Sequence, residues 1–101
     1  MQKVSVQKDI AAMKLSAISG RGSKKDFVDI YFLLKQFTLK ELIEFYTQKY
    51  FDGSEYLVLK SLTYFNDADT DVDVNLIEDI SWEEVKGKIL DTVRDYVSRK
   101  S

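Results

Sequence analysis

The sequence contains no cysteine, no histidine and no proline. Without cysteine there is no disulfide, no thiol nucleophile and no thiolate zinc site. Without histidine there is no imidazole acid–base pair and no Ser-His-Asp triad. Chemistry is left to carboxylates, lysine, arginine and hydroxyls. No apolar run approaches the length of a membrane span, and the N-terminus does not read as a signal peptide. A soluble, cytoplasmic protein is therefore expected.

What is present suits one folded domain over residues 1–101. The 101 residues are 45% hydrophobic and 13% aromatic, which supports a compact core and argues against disorder. The net charge of −2 conceals a split. Residues 1–50 carry nine basic and five acidic side chains; residues 51–101 carry six and twelve. Eight of those acids lie between Asn66 and Glu84 with no basic residue among them. A free-standing nucleic-acid binder needs a basic face, so direct nucleic-acid binding is not expected.

The pattern along the chain is mainly α. Lys3 to Val6 alternates polar and apolar, which suits a short strand. A helix is expected from Asp9, as its cap, to Ile18. Gly20 and Gly22 then read as a flexible loop that stops it. Ser23 caps a second helix, from about Lys24 to Gln36. Thr38-Leu-Lys-Glu41 is a capping box for a third, ending near Tyr50, where Asp52-Gly53 breaks it. A fourth helix is expected from Tyr56 to Phe65, and Asn66 to Asp79 reads as an acidic loop. Ser81-Trp-Glu-Glu84 is a second capping box. It opens a last helix to about Arg99, with Trp82, Val85, Ile89, Val93 and Tyr96 on one stripe. The expected fold is a bundle of about five helices with one short N-terminal strand at most.

Two polar residues interrupt apolar faces. With Ile10 at zero on a helical wheel, Lys14 falls at about 40°, between Ile10 and Ile18. With Asp26 at zero, Ile30, Leu34 and Phe27 lie within about 100° of it, and Asp29 sits at the edge of that arc. A carboxylate on an apolar face must be paired or bind a cation. Lys14 and Asp26 are thus candidate partners across the glycine loop, with Arg21 nearby. The competing reading is local: Ser23-Lys-Lys-Asp26 is itself a capping box, in which Asp26 stabilises the start of its helix.

The run from Asp9 to Tyr31 resembles the signature of the AbiEii/AbiGii family, nucleotidyltransferase-like toxins of abortive-infection and type IV toxin–antitoxin systems. The pattern is carried by Lys14, Ala17, Arg21, Lys25-Asp26 and Asp29. Tyr64-Phe-Asn-Asp67-Ala68 and Ile80-Ser-Trp82-Glu-Glu-Val85-Lys86 are similar to the family's C-terminal part. The resemblance implies that Lys14 contacts a nucleotide triphosphate, that Arg21 holds the site or a phosphate, and that Asp26 and Asp29 belong to its last acidic motif. A fixed cation beside phosphate would stabilise charge developing on the transferred group.

The family's Gly-Ser turn and paired metal-binding acids precede the Lys14 motif by a long stretch, whereas thirteen residues precede Lys14 here. Mg²⁺ and a nucleoside triphosphate are accordingly expected only in a complete enzyme, and the chain alone is expected to be inactive. Gly53-Ser54 followed by Asp67-Ala-Asp69 matches the bare metal-site pattern. Its flanks, however, suit a loop and a helix terminus rather than a strand.

The acidic stretch offers one more alternative. Asp67, Asp69, Asp71, Asp73, Asn75 and Glu78 follow the spacing of an EF-hand calcium loop. Val72 stands where that loop requires glycine, and a β-branched residue is strongly disfavoured at positive φ. The aromatic residues are explained mainly by core packing. Three functions are weighed: a nucleotidyltransferase portion lacking its core, an interaction module, and a calcium-binding helical protein. The module would pair with the missing core or a cognate antitoxin, or associate with itself. No membrane partner is expected.

Overall fold

The computed structural model describes residues 2–70 and 80–100, with side chains described for 7–70 and 80–99. Six helices follow in order: α1 (Gln2–Arg21), α2 (Lys24–Leu33), α3 (Leu39–Lys49), α4 (Glu55–Leu62), the single turn α5 (Asn66–Asp69) and α6 (Trp82–Lys100). No strand occurs among the described residues. The protein is an all-α bundle.

The N-terminus corrects the sequence reading. Residues 2–6 belong to α1 rather than to a strand. Four alternating residues cannot specify a strand that has no neighbour to pair with, and a helix satisfies its backbone groups internally. Asp9 is therefore inside the helix and not its cap; it faces Lys49 Nζ at 3.9 Å. The helix also continues through Gly20, and the break is confined to Gly22 and Ser23. In the second helix, α2 ends at Leu33 and residues 34–36 form a turn. In the fourth, the chain leaves the helix after Leu62 and resumes as α5.

The caps explain why the other boundaries fall where they do. Ser23 and Thr38 each accept from the backbone N–H three residues on, and Asp26 and Glu41 reach back to the cap backbone, so both capping boxes are complete. Ser54 Oγ caps α4 through the Leu57 N–H at 3.1 Å. Ser81 Oγ accepts from the Glu84 N–H at 3.0 Å and fixes the start of α6.

Helix α1 packs on α2, α3 and α4, and α6 closes the bundle against α2, α3 and α4. The buried face of α1 is Ala11, Ala12, Leu15 and Ile18. It meets Phe27, Ile30 and Tyr31 of α2, and Leu39, Leu42, Ile43 and Tyr46 of α3, in one continuous core. From α6 the buried positions are Val85, Ile89 and Val93, with Trp82 and Tyr96 partly buried beside them. Each large side chain so buried contributes about 1.5–3 kcal/mol relative to exposure. Ile10 and Met13 lie outside this core, at 45% and 54% exposed. Lys14 is consequently on the rim of the buried face and not within it.

No helix among the described residues is long and apolar enough to cross a membrane.

Candidate functional site

The site is built by the sharp reversal between α1 and α2. A Cβ at Gly22 would lie 2.7 Å from Phe27 Cε2 and 3.5 Å from Ile18 Cγ1. Only glycine lets the turn close against the ring. That closure lays the start of α2 alongside α1 two turns before its end. There Lys14 Nζ lies 2.8 Å from Asp29 Oδ2 and 3.5 Å from Asp26 Oδ1.

The two oxygens of Asp26 have separate tasks. Oδ2 accepts from the Ser23 hydroxyl at 3.0 Å and the Ser23 N–H at 3.4 Å, completing the cap. Oδ1 faces Lys14. The local and the long-range readings of Asp26 therefore hold together. All three side chains are partly exposed, at 28% for Lys14, 18% for Asp26 and 37% for Asp29. The hydrogen bond to Asp29 raises the Lys14 pKa most; burial opposes it, and the charges of Asp29 and Asp26 reinforce it.

One lysine between two carboxylates leaves the cluster with one net negative charge, so an anion would have to draw Lys14 away from Asp29. Arg21 is exposed, and its guanidinium has no hydrogen bond or ion pair among the described residues. Seven residues from Lys14 places it on the same side of α1, roughly 10 Å further along the axis. It is aligned with the cluster but not part of it. No group of three or more acidic, histidine or cysteine side chains suited to a metal gathers among the described residues. Asp26 and Asp29, with an ammonium between them, do not make a Mg²⁺ site by themselves.

The acidic stretch is only partly in view. Asp71, Asp73 and Glu78, and with them most of the EF-hand spacing, lie outside the described residues. Asp67 and Asp69 belong to α5, so the start of the expected loop is helical. Asp69 Oδ1 accepts from Trp82 Nε1 at 2.7 Å and from Lys86 Nζ at 3.0 Å. These contacts hold its carboxyl below the ordinary range, the Trp82 hydrogen bond first and the Lys86 hydrogen bond second.

The residue that sequence reasoning missed is Lys24. It is only 6% exposed, and its Nζ lies 5.4 Å from the centre of the Trp82 ring. Lys86 Nζ is 5.5 Å from the same ring. Two ammonium groups beside one indole form a cation–π arrangement that joins α2 to α6. The signal for Lys24 was available: it falls at about 160° on the α2 wheel, on the side of Phe27 and Tyr31.

Fold and site together define a small all-α bundle with a Lys–Asp–Asp cluster at its first helical reversal. The chain is similar to an uncharacterized protein of Aquifex aeolicus (strain VF5), aq_aa25, with 44% identity over 94 residues. The match takes in 89% of this chain and 44% of the relative, so the chain spans less than half the length of that curated protein. No family model and no solved structure matches the chain.

Proposed function

We propose that the chain is the C-terminal helical portion of a nucleotidyltransferase-like toxin of the AbiEii type, cytoplasmic, carrying one side of a nucleotide site. The observation that carries this reading is the meeting of Lys14, Asp26 and Asp29 on one partly exposed surface at the α1–α2 reversal. These are the positions that the resemblance assigns to the triphosphate contact and the last acidic motif. The greater length of the Aquifex relative supports the reading, because it leaves room for a second half in such a protein.

In the complete enzyme, a nucleotidyltransferase core would hold Mg²⁺ and the nucleoside triphosphate. Lys14 would exchange Asp29 for a phosphate oxygen, and Arg21 would extend the cationic side of α1. Asp26 would stay in place, because Ser23 holds its other oxygen. The Lys14 cluster is net negative and no metal-binding group gathers among the described residues, so weak nucleotide affinity is expected of the chain alone.

An amide NMR titration of the chain with Mg²⁺ and each nucleoside triphosphate tests this. Shifts clustered at Lys14, Arg21 and Asp26, and lost in Lys14→Ala, are expected. No shift at millimolar nucleotide would overturn the retained half-site.

A second reading, an interaction module without catalysis, is favoured by the exposure of Ile10 and Met13 on the side of α1 that carries Lys14. The core or a cognate antitoxin would cover that face. Sedimentation tests its remaining alternative, self-association: a monomer at high concentration excludes a second copy as the cover.

A further inference from the structure

A cleft of about 740 Å³ opens between the turn after α2, the start of α3 and the stretch of α6 from Lys88 to Arg99. Small-molecule sites usually span about 300–1,000 Å³. Leu34, Phe37 and Tyr96 give it an apolar lining, each partly buried against the core. The Tyr96 ring is held in place by its hydroxyl, which donates to Glu55 Oε2 at 2.8 Å.

The charged lining is one-sided. Lys40, Lys88 and Arg99 face the cleft against a single carboxylate, Asp95. Asp95 is already engaged, accepting from Arg99 Nε at 2.9 Å. The ammonium groups of Lys40 and Lys88 have no ion pair or hydrogen bond among the described residues. The hydroxyls are engaged as well: Thr38 Oγ1 serves the α3 cap, and Thr92 Oγ1 donates to the Lys88 carbonyl at 2.7 Å. Two ammonium groups without acids therefore border an aromatic surface, in a chain whose net charge is negative.

A lone exposed lysine is ordinary. Two that share one concave aromatic site create a local positive potential over low-dielectric walls, which concentrates anions there. An inorganic anion would leave the rings uncovered, and a neutral aromatic would leave the ammonium groups unanswered. We propose that this cleft binds a small aromatic organic anion, with its ring against Phe37 and Tyr96 and its sulfonate, carboxylate or phosphate at Lys40 and Lys88. The site lies at the other end of α2 from the Lys14 cluster and does not depend on the nucleotidyltransferase reading.

The probe is 8-anilino-1-naphthalenesulfonate, compared with the neutral N-phenyl-1-naphthylamine, on the full 101-residue chain. Saturable one-to-one fluorescence is expected, with amide shifts confined to Leu34, Phe37, Thr38, Thr92 and Tyr96. The neutral analogue should bind at least ten-fold more weakly. Lys40→Glu with Lys88→Glu should lower sulfonate affinity at least ten-fold with an unchanged melt, and Lys60→Glu on α4 should not. If the double reversal fails to fold, Lys40→Gln with Lys88→Gln serves instead, with a smaller loss expected. Equal binding of the neutral analogue, shifts centred on the exposed Tyr56 and Leu57 of α4 and Tyr64 beyond its end, or charge variants with unaltered affinity would each overturn the proposal.

Discussion

The Tyr31 hydroxyl donates to Glu84 Oε2 at 2.9 Å, joining residues 53 positions apart. The Ser81-Trp-Glu-Glu84 pattern predicts that Glu84 turns back to its own helix start. Ser81 does cap the Glu84 N–H, but the carboxylate reaches α2 instead. A hydrogen bond of this kind contributes about 0.5–1.5 kcal/mol, more when one partner is charged. Tyr31→Phe should therefore destabilise the chain by about 1 kcal/mol, and Glu84→Ala by a similar amount. Urea denaturation of both singles and the double should give a double-variant loss smaller than the sum, as for any contacting pair.

The glycines divide by what surrounds them. Gly22 has no room for a Cβ, whereas nothing lies within 4 Å of one at Gly20 or Gly87. Gly22→Ala should cost about 1–3 kcal/mol, because the Phe27 ring must leave its packed position. Gly87→Ala, inside α6, should stabilise by about 0.5–1 kcal/mol through helix propensity. Thermal melts of the two variants should move in opposite directions.

Asp26 and Asp29 both face Lys14, but only Asp26 also caps a helix. Loss of a capping side chain typically costs about 0.5–2 kcal/mol, and an exposed ion pair contributes about 0–1 kcal/mol. Asp26→Ala should accordingly cost more than Asp29→Ala. Denaturation in 1 M salt should shrink the Asp29→Ala effect and leave more of the Asp26→Ala effect, since the short hydrogen bonds from Ser23 are screened less than an exposed ion pair.

The pH dependence has two limbs. Tyr31 has a raised pKa, first through its hydrogen bond to Glu84 and then through burial. Lys14 is raised first by its hydrogen bond to Asp29, and Lys86 first by its hydrogen bond to Asp69. A group that holds its proton more tightly when folded contributes fully below its unfolded pKa, and its contribution is lost as pH rises through the folded one. The melting temperature should fall as pH rises past about 10, less steeply in Tyr31→Phe. Asp69 has the opposite sign, because Trp82 and Lys86 lower its pKa. Its contribution is complete above about pH 4 and lost as pH falls below, so Asp69→Asn should flatten the acid limb in melts between about pH 2 and 5.

The features legible in the sequence were local. The capping boxes at Ser23 and Thr38, the Ser81 cap and the Val85–Ile89–Val93 stripe are recognised from neighbours three or four residues away, and each stands in the fold. The Lys14–Asp26 pair was legible because two charged residues broke two apolar faces close together in sequence. What was not legible depended on distance or on ambiguous periods. Four alternating residues at 3–6 gave no means of choosing strand over helix. The wheel of α1 placed Ile10 and Met13 on the apolar arc together with Ala11, Leu15 and Ile18, but only the latter three, with Ala12, are buried, because the close approach of α2, α3 and α4 selects the small and branched side of that arc. The contacts of Lys24 and Asp69 were not legible because their partner, Trp82, lies 58 and 13 positions downstream.

Trp82 is the single tryptophan of the chain. Its N–H is bound by Asp69, the ammonium groups of Lys24 and Lys86 lie 5.4 and 5.5 Å from its ring centre, and it meets Phe27 and Phe65 edge to face at centroid separations of 6.0 Å. Every one of these neighbours comes from α2, α5, α6 or the segment joining α4 to α5. The emission of one fluorophore thus reports on whether that quarter of the bundle is assembled and is blind to fraying of α3. Paired with far-ultraviolet circular dichroism, which averages over all the helices, the native chain carries its own two-probe test of whether it unfolds in a single step.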